Sequence, residues 1–148
     1  MKKYIKIVIV LLVVLILTGC GAKKTALNQK QITDKLYKLE FFVDDNTKLM
    51  EDSTMRTALS AYNSKYQIEY YIFKDEKRAK EAFQDNKKYF DNNGKKGKEK
   101  TKENYSKYVQ ELSDTYNVLT RVDNTLLYIS SNIEYKSDIK KVLKELNY

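Results

Sequence analysis

Residues 105–130, YSKYVQELSDTYNVLTRVDNTLLYIS, decide the fold. Tyr105, Lys107, Val109 and Glu111 alternate with Ser106, Tyr108, Gln110 and Leu112, which is the two-residue period of a strand. Ser113-Asp114 supplies a turn, and Tyr116 to Val122 reads as the next strand. Asp123-Asn124, both tolerant of positive φ, predicts a tight hairpin into Thr125–Ser130. Leu126, Leu127, Tyr128 and Ile129 make that last strand the most buried of the three. Connections this short join antiparallel neighbours, so the stretch is a three-strand meander.

Outward from the meander, the pattern turns helical on both sides. Ser137 is placed to cap a final helix with Ile139, Val142, Leu143 and Leu146 inward and Lys140, Lys141 and Lys144 outward. Upstream, residues 91–104, DNNGKKGKEKTKEN, hold no large apolar side chain and read as a mobile Lys-rich loop. Before it, Asp75 caps a helix to about Phe90 with the stripe Ala79, Ala82, Phe83, Asn86 and Phe90. Gln67 to Phe73 is a strand with Ile68, Tyr70 and Ile72 on one face and Glu69, Tyr71 and Phe73 on the other. Met55, Ala58, Leu59 and Tyr62 follow helical spacing behind Ser53, which predicts a helix there. Phe41-Phe42-Val43 is a short strand or the buried end of a helix over residues 26–39, for which Thr25 is a candidate N-cap. The expectation is one α+β domain over residues 26–148, in two layers. Its antiparallel sheet has about four strands, with helices mainly on one face.

The first twenty residues carry a different message. Lys2, Lys3 and Lys6 precede an unbroken apolar run from Ile7 to Leu17. Eleven residues are too few for a membrane-spanning helix, which needs about 20, and fit the apolar region of a signal peptide. Leu17-Thr18-Gly19-Cys20 resembles the lipobox of bacterial lipoproteins. That resemblance covers residues 1–20 only. It implies diacylglycerol on the Cys20 thiol, removal of residues 1–19, and a protein held on the extracytoplasmic side of the cell membrane. The chain's single cysteine agrees, since a lone exported thiol has no internal partner. Residues 20–25 form a short tether, its five residues after Cys20 reaching about 17 Å, with Lys23 and Lys24 at head-group level.

Three of the 28 basic residues and none of the 20 acidic ones fall in residues 1–19, so cleavage leaves a net charge of +5. Such a balance favours anionic lipid or wall polymer. Export argues against nucleic acid. With no histidine and no Gly-rich phosphate loop, the usual triads, His-ligated metals and nucleotide cradles are absent from the sequence. Asp44–Glu51 fails as a calcium loop, because Leu49 and Met55 stand where glycine and glutamate are required. Glu69, Glu111 and Glu134 are isolated, so no catalytic carboxylate pair stands out. No catalytic residue, metal or cofactor is expected.

Three readings remain. The first is a non-catalytic module that binds an envelope protein or small ligand through sheet tyrosines, with Tyr70, Tyr71, Tyr105, Tyr108 and Tyr128 as candidates. The second docks on anionic lipid or wall polymer through Lys23, Lys24, Lys95, Lys96, Lys98, Lys100 and Lys102. The third is a carboxylate-based hydrolase.

Overall fold

The computed structural model describes residues 23–50 and 54–148; the signal-peptide segment and Cys20 lie outside the described residues. The element order is α1 (Gln29–Lys38), β1 (Phe42–Asp45), β2 (Met55–Tyr62), β3 (Gln67–Phe73), α2 (Glu76–Asn92), β4 (Lys98–Lys102), β5 (Tyr105–Glu111), β6 (Thr115–Val122), β7 (Thr125–Asn132) and α3 (Lys136–Leu146). The α+β class expected from the sequence is what folds. The strands form one sheet in the order β1-β2-β3-β7-β6-β5-β4, every pair antiparallel. Among the described residues it has seven strands where about four were expected, and two segments account for most of the difference.

Met55–Tyr62 is strand β2, not a helix. Its helical spacing of apolar residues arises because Ala58 and Leu59 point to opposite faces and both are buried. Backbone pairing with β1 on one side and β3 on the other then outweighs local preference. Lys98–Lys102 is strand β4, not a mobile loop. It is an edge strand of alternating charge, the composition that blunts a free edge. The turn before it is held down by Gln110, whose Nε2 donates to the Phe90 carbonyl at 2.9 Å and the Lys95 carbonyl at 2.8 Å.

Helices cover both faces, so the expected two layers become three. On one face α1 and α3 place Ile32, Leu36, Ile139, Leu143 and Leu146 against Ile68, Tyr70, Val118, Leu127 and Ile129. On the other, α2 sets Ala79, Phe83 and Phe90 on Phe73, Tyr108, Leu119 and Leu126. The period of two along β6 and β7 divides these sets. α2 begins where expected, Asp75 accepting from the Arg78 N–H at 2.9 Å. The other two caps differ from expectation. Asn28, not Thr25, closes a capping box with Gln31. α3 starts from a 3₁₀ turn at Ile133–Tyr135, capped by Asn132, which leaves Ser137 inside the first turn. The hairpin at Asp123-Asn124 forms as read, with Asp123 at φ 49°.

Candidate functional site

The β4–β5 register pairs Lys98 with Val109, Lys100 with Lys107, and Lys102 with Tyr105. Paired residues share a face, and here it is the face that carries α3. Farther along the sheet α3 covers it, but beside β4 and β5 it stays open. A depression of about 330 Å³ lies there, lined by Lys98, Lys100, Lys107, Tyr116 and, from α3, Lys140, together with Glu99 and Glu111. A second, of about 370 Å³, adjoins it through Lys98, Val109 and Glu111 and adds Lys95 and Lys96. Lys24 closes the far end, its ammonium 4.5 Å from the centre of the Tyr105 ring.

This groove is only partly neutralised. Glu111 accepts from Lys136 at 2.6 Å, and that hydrogen bond first, then the charges of Lys136, Lys140 and Lys98, hold its carboxyl below the usual range. Glu99 points to the other face, 3.9 Å from Lys87. Lys107 sits half-buried and directly opposite Lys100, a cross-strand like-charge pair that opposes folding. Burial, then the charges of Lys24 and Lys140, pull its pKa down to about 8. Lys24 is lowered too, by burial first and by Lys100 second. Cations from the N-terminal segment, β4, β5 and α3 thus converge on one concave surface.

Of the lysines expected from the sequence, Lys24, Lys95, Lys96, Lys98 and Lys100 meet at this groove. Lys102 continues it along the exposed edge, and Lys23 lies exposed next to Lys24 in the chain. Lys107 and Lys140 were missed. The signal for Lys107 was present: it interrupts the apolar register of Tyr105 and Val109.

The tyrosine candidates do not share a face. Tyr70 and Tyr105 are buried beneath α1 and α3. Tyr70 donates to the Leu27 carbonyl at 2.7 Å and meets the Tyr148 hydroxyl at 2.8 Å. Tyr108 is wholly buried on the opposite face, donating to Asp91 at 2.6 Å and stacked on Phe90. These three are core residues, which removes the single tyrosine surface. Only Tyr71 and Tyr128 remain partly open, together in a cleft beside α2.

Among the described residues no three His, Cys, Asp or Glu side chains are grouped to hold a metal, and no helix is long and apolar enough to cross a membrane. Compared with protein-family models, curated proteins and solved structures, the chain has no match.

Proposed function

We propose that this protein is a non-catalytic module, exported and lipid-anchored through Cys20, that binds the phosphate-bearing surface of its own membrane leaflet through the basic groove. The single observation that carries the reading is the convergence of Lys24, Lys98, Lys100, Lys107 and Lys140, five cations against the two carboxylates of Glu99 and Glu111. Lys24 stands four residues after Cys20, so an acylated cysteine lies within about 14 Å of the groove. Lipid phosphates around that anchor are the polyanion nearest to hand. Each lysine brought to an anionic leaflet contributes about 1 kcal/mol. Five of them, added to the acyl chains, orient the domain and hold it flat against the membrane.

The test is lysine acetylation footprinting of the full lipidated chain in vesicles. Anionic phosphatidylglycerol vesicles should protect Lys24, Lys100, Lys107 and Lys140 several-fold relative to neutral phosphatidylcholine, and salt should remove the protection, since screening shortens to about 3 Å at 1 M. Equal labelling in both lipids overturns the reading. Protection that appears in neutral vesicles only when soluble polyphosphate is added assigns the groove to a polymer instead.

A further inference from the structure

On the opposite face of the sheet, α2 does not close completely over β3 and β7. Ala82, Asp85 and Asn86 face the gap, and the short side chain of Ala82 helps leave a cleft of about 490 Å³, within the size range of small-molecule sites. Phe73 and Leu126 form the floor, while Tyr71 and Tyr128 supply partly exposed rings. Glu69 and Asp85 are the charged residues of the lining. Among the described residues no basic side chain lines this cleft.

We propose that this cleft binds a small organic cation with an alkylammonium head. The aromatic faces attract a cation through their quadrupoles, and the two carboxylates supply net negative charge beside them. Tyr71 is fixed for this role by the hydrogen bond it donates to Glu69 Oε2 at 2.5 Å. That bond orients the ring and makes it more electron-rich. Tyr128 is held by stacking on Phe90, with centroids 5.5 Å apart. An anion would be repelled here, and a wholly apolar ligand would strip water from two carboxylates without replacing it. An alkylammonium ion matches both the rings and the charge.

Choline is the probe, with 3,3-dimethylbutan-1-ol as its neutral isostere, and the readout is amide NMR of the full chain in neutral maltoside micelles. Choline should shift Glu69, Tyr71, Asp85, Asn86 and Tyr128 saturably, and the alcohol should bind at least tenfold more weakly. Glu69→Gln with Asp85→Asn should reduce choline to the level of the alcohol, and Ala82→Leu, which fills the gap, should abolish binding of both. Asp85→Asn alone repeats the charge test at an exposed position, should the double variant fold poorly. Lys107→Gln should leave choline binding unchanged, which separates this site from the groove. Equal binding of choline and alcohol, shifts confined to other regions, or indifference to loss of both carboxylates would overturn the assignment.

Discussion

Lys107 is where the conflict between folding and binding is concentrated. A half-buried ammonium facing Lys24, Lys100 and Lys140 costs stability, and its pKa near 8 records that cost. Below pH 8 the folded and unfolded chains both carry the proton, so the cost is present in full. As pH rises from about 8 towards the unfolded lysine value near 10.4, the folded chain releases its proton first. The unfolded chain then binds more protons, and stability rises with pH. Raised phenol pKa values such as that of Tyr71 act in the opposite sense, but only from about pH 10 upward. The clean window is therefore about pH 8 to 9.5. Urea unfolding in neutral detergent should show stability increasing across that window. Lys107→Met should be more stable than the parent at pH 7 and rise less steeply across these pH values, the remaining slope coming from the lowered pKa of Lys24. A parent whose stability is constant or falls there would show that the charge is not strained. The same strain would give the proposed anion its leverage, because a negative charge beside Lys107 raises its pKa and offsets the repulsion.

At the scale of elements, the sequence was most legible where one periodicity dominated. The meander β5–β7 and its hairpin, the strand β3, and the helix capped by Asp75 were placed correctly, because alternation, turn residues and caps agreed, although β6 and not β7 is the most buried strand of the meander. β2 was illegible because both its faces are buried, so its apolar residues follow no alternation. The information that makes it a strand lies in β1 and β3, not in the segment itself. β4 was illegible for the opposite reason, having no apolar side chain at all. The only local hint of its anchorage was Gly97. A Cβ there would come 2.4 Å from the Val109 carbonyl oxygen and 2.5 Å from the Tyr108 ring, where the Gly97 N–H already donates to the Tyr108 hydroxyl. Gly97→Ala should therefore destabilise by about 2–3 kcal/mol, and hydrogen exchange should quicken in β4 before β6 and β7. Gly94→Ala, which meets only the Leu112 and Gln110 side chains at 3.1–3.3 Å, should cost much less. Equal effects of the two would mean that β4 is not seated by this approach. The candidate site was half legible for the same reason. The sequence displayed the run of lysines in β4 and, in the broken apolar register of β5, marked Lys107 as unusual, but gave no sign that Lys140 from α3 stands beside them.

The whole molecule has polarity. The basic groove lies on the α1–α3 side of the sheet at the β4 edge, and the acidic aromatic cleft lies on the α2 side between β3 and β7. A domain with its groove on the leaflet turns that cleft away from the membrane, where a soluble cation has access. The start of the domain sets this orientation. Lys24 is clamped by its Nζ, which donates to the Asn147 carbonyl at 2.9 Å, and by its own carbonyl, which accepts from Asn104 Nδ2 at 2.6 Å. Only residues 21–23 separate this clamp from Cys20, so the proposed acylation there would hold the groove at high effective concentration against the leaflet. Inserting ten Gly/Ser residues after Gly21 lengthens the tether while leaving every groove lysine in place. On anionic vesicles, protection of Lys100 and Lys107 should then vanish at a lower salt concentration than in the parent. Footprinting that fades at the same salt in both chains would mean that the groove finds its anion independently of the anchor. The polarity of the molecule would then come from its charges alone.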